Sequence, residues 1–236
     1  MSLQNKIVLI AGRKSKAMIS VVKMLLDEKA SLVVVAKSTS DLDFIMELKK
    51  ANDSAKVVTI LVDYPDYYNA VEIVDEIAET FGRIDACIFY FESPVIETNL
   101  LETAITDWEK MVEQNISAYY VAVRSVFETM KVNGQGLFVT IHERLPAHNQ
   151  LSKLAQLSEC IHKEMAGMLF DELEYYGIKF YHLIVEKAVD AQNAGPFVRR
   201  LFEKEKADKS DLFLQISKNQ WIYLFDIYER QHKILI

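Results

Sequence analysis

Hydrophobic positions in this chain come in two patterns that take turns. Short continuous apolar runs occupy 7–11, 31–36, 56–62, 85–91, 136–141 and 178–185. A run without polar alternation predicts a strand buried on both faces. Between the runs, apolar residues recur every three or four positions, which predicts helices over 17–29, 41–51, 66–81, 107–131 and 150–176. Punctuation supports this division. Ser40 or Asp41 is placed to cap the second helix and Asp66 the third, while Gly82 and Gly177 stand where helices should stop. Strands alternating with helices imply a parallel sheet covered on both faces. With right-handed crossovers this is a doubly wound, three-layer α/β fold of about six or seven parallel strands. Beyond residue 188 the pattern weakens. Residues 196–206 read as helical, and Trp221-Ile-Tyr-Leu-Phe225 fits either a strand or a core helix. There is no internal repeat and no low-complexity segment.

Composition narrows the function classes. The 236 residues, half of them hydrophobic, suit one domain over 1–236 with a sizeable core. A net charge of −7 argues against a general nucleic-acid surface. Tyr64, Tyr67, Tyr68, Phe89, Tyr90, Phe91, Tyr119 and Tyr120 are therefore read as core and interface residues, not as a base-stacking platform. Cys87 and Cys160 lack metal-ligand spacing and read as buried, reduced thiols. No apolar run approaches the roughly 20 residues of a membrane helix. The expectation is a soluble cytoplasmic protein with no membrane and no nucleic-acid partner. Seven glycines and four prolines are few for an enzyme with Gly-rich phosphate and substrate loops.

The stretch from Lys6 to Met18 reads as a buried strand, a tight turn and a helix start, the opening of a dinucleotide-binding domain. In such a turn the first glycine makes the bend, the second lets backbone approach a pyrophosphate, and the third lets helix and strand pack closely. Gly12 fills the first position, but Lys16 and Met18 hold the other two. Their side chains are expected to obstruct the pyrophosphate path.

Several landmarks, in order, resemble the short-chain dehydrogenase/reductase family over about residues 5–185, leaving 186–236 as a divergent segment. Ala11-Gly12 stands at the family's first turn, and Asp63 follows the third strand, where the family's Asp contacts adenine. Phe81-Gly-Arg-Ile-Asp85 matches the approach to the fourth strand, and Asn115 matches the asparagine of the long fifth helix. Leu173 to Ile178 matches the end of the helix that carries the family's tyrosine. The resemblance implies a Rossmann-type fold and a nicotinamide cofactor. The family's NAD users carry an acid near 36 or 37, whereas this chain has Ala36-Lys37. With Arg13, Lys14 and Lys16 nearby, any dinucleotide bound would be NADP(H), held by Gly12, Arg13, Lys37 and Asp63. The other reading of these basic residues is a solvated loop.

The chemical motifs depart from the family. Its Asn-Asn-Ala-Gly after the fourth strand is Phe89-Tyr90-Phe91-Glu92 here. Counting back from Gly177 puts Ala155 at the tyrosine position, Glu159 at the lysine position and His142 at the serine position. A rival alignment through Ser152-Lys153 puts Asn149 at the tyrosine position. Only Asn115 of the tetrad remains. Alanine cannot transfer a proton, and glutamate in place of lysine reverses the local charge. Tyr175-x-x-x-Lys179 is a chance match, because Gly177 lies between its ends. His142, Glu143, Glu92 and Glu159 could converge at the strand edge as an acid/base or metal group, or form a polar relic of the cleft.

These readings favour a family relative that is inactive or strongly impaired, with weak or no cofactor binding, acting as scaffold, regulatory subunit or ligand sensor. The competing expectation is a divergent NADP(H)-dependent oxidoreductase using His142, Glu159 or a tail tyrosine such as Tyr223. The resemblance also implies a homodimer or homotetramer through the helices at 107–131 and 150–176. There Ala118, Val121, Ala122, Val126 and Met130 form one stripe, and Leu154, Leu157, Ile161, Met165, Met168 and Leu169 another.

Overall fold

The computed structural model describes residues 2–12, 14–50, 56–62, 67–92, 99–143, 153–185, 191–204, 213–217 and 220–223. The first half alternates β1 (Ile7–Ala11), α1 (Lys16–Asp27), β2 (Ser31–Ala36), α2 (Thr39–Lys50), β3 (Val57–Leu61), α3 (Tyr67–Phe81) and β4 (Ala86–Glu92). Then come α4 (Ile105–Met111), α5 (Ala118–Asn133), β5 (Gly136–Glu143), α6 (Lys153–Tyr175), β6 (Ile178–Val185), α7 (Ala194–Glu203), β7 (Phe213–Ser217) and β8 (Gln220–Tyr223). The strands form one sheet in the order β3-β2-β1-β4-β5-β6-β7-β8. Neighbours pair in parallel as far as β7, and β8 returns antiparallel. This is the doubly wound sheet that the sequence predicts. Of the tail segment read as strand or helix, Trp221 to Tyr223 lie in strand β8, and Leu224 and Phe225 lie outside the described residues. Only two residues separate β7 from β8, and a connection that short joins antiparallel strands only.

The core lies where the continuous runs predict it. Every residue of β1 and β5 is buried, as are Leu32 to Ala36 of β2. Helix α7 packs against α1 on one face, and α3 packs against α5 on the other. Lys179 ties α7 to β6 by donating to the carbonyls of Leu201 and Lys204, the last turn of that helix. At the foot of the sheet, Asp85 accepts from Lys6 Nζ, Arg83 Nε and the Ile7 backbone N–H. Those bonds outweigh the cost of burial and hold its carboxyl below the usual carboxylate range.

Several local expectations are corrected. Helix α2 is capped by Ser38, whose hydroxyl accepts from the Asp41 N–H at 3.2 Å, because the helix starts at Thr39 and not after Ser40. Asp66, the expected cap of α3, lies outside the described residues. The long helix at 107–131 is not continuous. A π-helical turn, Val112–Ser117, separates α4 from α5. The strand expected to end at Ile141 runs on to Glu143. Cys87 is buried, which raises its thiol pKa, but Cys160 is exposed on the outer side of α6. The apolar stripe of α5 is largely absorbed within the chain, since Ala118, Val121, Ala122, Val126 and Met130 are all buried. Tyr120 and Val132 of α5 and Met168 and Tyr175 of α6 are large side chains that face outwards. Tyr68, read as a core or interface residue, is also exposed.

Candidate active site

Open α/β sheets bind ligands at the carboxyl ends of their strands, where the crossovers change direction. In this sheet that point lies between β1 and β4. Gly12 follows β1 with a φ of 128°, a conformation that L side chains rarely adopt. A Cβ there would lie 2.6 Å from the Tyr90 carbonyl oxygen and 2.9 Å from Tyr90 Cβ. The glycine is needed for the approach of the turn to β4. Ser15 caps α1, its hydroxyl accepting from the Met18 N–H at 3.0 Å. Asp41 Oδ1 accepts from the Lys14 N–H at 3.0 Å, so one donor of the turn is already engaged. Lys14 Nζ sits 5.2 Å from the Phe44 ring centroid.

Met18 does not stand in the pyrophosphate path, contrary to the sequence expectation. It is buried beneath α1, because its position puts it on the face of the helix that packs on the sheet. Lys16 and Lys37 are exposed near the turn. Arg13 and Asp63 lie outside the described residues.

On the face covered by α5 and α6, the strand ends hold a polar cluster. Its side chains are those of His142 and Thr140 of β5, His182 of β6, Tyr119 of α5 and His162 of α6. All five residues are fully buried. His162 Nε2 lies 3.1 Å from the Asn115 carbonyl oxygen. A carbonyl only accepts, so Nε2 carries the proton. Nδ1 of the neutral ring then accepts, and the donor is His142 Nδ1–H, 3.2 Å away. The π turn places Asn115, whose carbonyl also accepts from the Ala118 N–H. His182 Nδ1 is 2.7 Å from the Thr140 hydroxyl, which lies 3.5 Å from that of Tyr119. Tyr119 stacks on His162 at 4.8 Å, and Phe91 packs against both.

Burial keeps His162 and His182 neutral. It lowers His162 to about 4, against the opposing pull of the Asn115 carbonyl and Glu159. His182 is held well below the ordinary value, first by burial and then by the two other imidazoles and Lys163. Burial raises the Tyr119 phenol, only partly offset by Thr140. Groups so perturbed mark functional sites in many proteins, but these ones are closed off from solvent.

Of the four residues expected to converge, Glu143 is turned away from His142, while Glu159 lies close enough to His162 to act on its charge. His142 and Glu143 are adjacent on a strand and point to opposite faces. Glu143 accepts from the Tyr90 hydroxyl at 2.7 Å. Glu159, at the expected lysine position, pairs with Lys163 one helical turn away at 2.8 Å. The Glu92 side chain lies outside the described residues. Ala155 is buried, as is Ser158, whose hydroxyl has no partner among the described residues. No group of three or more His, Cys, Asp or Glu among the described residues is arranged to hold a metal ion. Tyr175 is exposed, whereas Lys179 lies on β6 bonded to α7, so that pair is not a motif. Ser152 and Asn149 of the rival alignment lie outside the described residues. Sequence reasoning missed His162, His182 and Tyr90 as members of these groups. Isolated polar residues within apolar patterns were their only signal.

The chain is 24% identical over 139 residues to an uncharacterized oxidoreductase of Staphylococcus saprophyticus, covering 59% of each chain. It is also 24% identical over 136 residues to an uncharacterized oxidoreductase of Listeria monocytogenes, covering 58% of this chain and 54% of that one. The matches thus span less than two thirds of these relatives. Solved structures share the fold. The bulky-bulky ketone specific alcohol dehydrogenase from Comamonas testosteroni has a TM-score of 0.77 at 14% identity, covering 98% of this chain and 93% of that chain. A metagenomic short-chain oxidoreductase in complex with NADP has a TM-score of 0.75 at 14% identity, covering 93% and 100%. No helix among the described residues is long and apolar enough to cross a membrane. The family profile for short chain dehydrogenase matches residues 6–143, more than half of the sequence, and the chain belongs to that family.

Proposed function

We propose that this family member does not carry out the usual proton-transfer catalysis and serves instead as a scaffold, regulatory subunit or ligand sensor built on the Rossmann fold. One observation carries the reading. His142, at the expected serine position, is fully buried and bonded to His162, while the expected tyrosine position is the buried Ala155. A carbonyl substrate would meet neither an exposed hydroxyl nor a proton donor there. Dinucleotide affinity is weak, with a Kd of about 0.1 mM or worse. The test is calorimetry with NAD+, NADH, NADP+ and NADPH, followed by a panel of carbonyl substrates. Weak binding and no turnover support the reading. Micromolar binding with turnover that is lost on His142→Ala or Glu159→Gln overturns it.

The second reading is an NADP(H)-dependent oxidoreductase. Its support is the exposed Lys14, Lys16 and Lys37 beside the turn, together with a structural neighbour that binds NADP. It requires Arg13→Ala or Lys37→Ala to weaken NADPH binding while leaving NADH unchanged. We further propose a homodimer or homotetramer in the cytoplasm, assembled through α4, α5 and α6. Exposed Ile105, Trp108, Tyr120 and Met168 support this assembly. Light scattering at micromolar concentration should give at least twice the mass of one chain, and a clean monomer would count against it.

A further inference from the structure

Tyr90 lies on β4, one of the two strands flanking the switch point where the sheet topology sets a place for a ligand. Its neighbours Phe89 and Phe91 point towards α5 and α6, where Phe91 stacks on Tyr119. Alternation along β4 therefore sends the Tyr90 ring to the other face, that of α1 and α7. The side chain leaves the strand directly against the turn, within 2.9 Å of where a Cβ on Gly12 would sit. Its far end reaches β5, where the hydroxyl donates to Glu143 Oε2 at 2.7 Å. Tyr90 is 5% exposed and Glu143 is 7% exposed. One side chain thus spans from the β1–β4 switch point to the carboxyl end of β5.

We propose that Tyr90, latched by Glu143, is an internal plug of the nucleotide crevice. It stands beside the β1–β4 switch point, where a dinucleotide would cross the sheet edge. The inference rests on the reading above that nucleotides bind weakly, and it gives that weakness a removable cause. A ligand entering the crevice must turn out a ring that buries on the order of 150–250 Å². It must also leave the buried Glu143 carboxylate without its donor, which costs more than the bond alone. The backbone of the turn is still shaped by Gly12.

The experiment titrates NADPH and NADH into wild type, Tyr90→Ala, Tyr90→Val and Glu143→Ala, with circular dichroism and thermal melts to establish folding. The valine variant keeps a strand-forming residue in case the alanine variant is too unstable. Tyr90→Ala and Tyr90→Val are expected to bind at least about tenfold more tightly than wild type, and Glu143→Ala to gain less because the ring remains. Folded Tyr90 variants that bind no better than wild type overturn the plug while leaving the proposed function standing. If neither variant folds, the ring is part of the core and the plug is also overturned. Micromolar binding by wild type sinks the proposed function and, with it, the need for a plug.

Discussion

Around β1, β2 and α1 the buried side chains are apolar, among them Val8, Leu9, Ile10, Leu32, Val33, Val34, Val21, Val22 and Leu25. Around β5, β6 and α6 the same depth holds Thr140, His142, Ser158, Glu159, His162 and His182. The two regions tolerate change differently. Apolar packing asks only for suitable volume and pattern, so residues can be exchanged while the layout survives. A buried polar group needs a partner, so replacements come in sets. His142 has His162, Glu143 has Tyr90, and Glu159 has Lys163. Most of the buried polar groups of this half are thus bonded to one another in the interior.

The sharpest way to probe this contrast is to damage each region and vary pH. Leu32→Ala removes a fully buried side chain from the apolar half and should cost about 2–5 kcal/mol, with the same loss at pH 7 and pH 5.5. Denaturant unfolding measures it, and a strongly pH-dependent loss would break the contrast. The histidine half should respond to acid instead. His162 falls from 6.5 in the unfolded chain to about 4 in the folded one. Below 6.5 the unfolded chain binds more protons, so stability is complete above that pH and is lost as pH falls towards 4. The shift corresponds to about 3 kcal/mol at full loss, and burial of His182 adds to it in the same direction. Melting temperatures from pH 7.5 to 4.5 should decline, and His162→Gln should flatten the decline. An unchanged slope would remove the cluster from the explanation.

Gly12→Ala tests whether the first turn is kept for packing. The positive φ and the contact with Tyr90 predict a loss of about 1–3 kcal/mol with no nucleotide present. A variant as stable as wild type would return the glycine to a ligand-binding role alone. The smallest effect is at the cap. Ser15→Ala removes the acceptor for the Met18 N–H and should cost about 1 kcal/mol by thermal denaturation.

The elements were legible because their signals are local. Ser31–Ala36 and Ile178–Val185 have the bounds that their apolar runs give. Gly177 ends α6 with a φ of 72°, which also separates Tyr175 from Lys179. The candidate site was legible only as a set of positions. Asn115, His142, Ala155 and Glu159 all lie at buried places in the expected elements. Their partners were not legible, and neither was the π turn that presents the Asn115 carbonyl. No residue type marks a π turn within an otherwise helical pattern.

The order of apolar runs, helical periods, caps and stops determined by itself that this chain folds as a doubly wound sheet, because each signal acts within a few residues. Tertiary structure alone decided what the polar residues do. Strand alternation sends His142 and Glu143 to opposite faces, and parallel pairing brings Thr140 beside His182. Twenty residues separate His142 from His162, and 53 separate Tyr90 from Glu143. A hydrogen bond over such a separation exists only once the sheet has fixed which side chains share a face. That is why the fold could be read along the chain and the closed site could not.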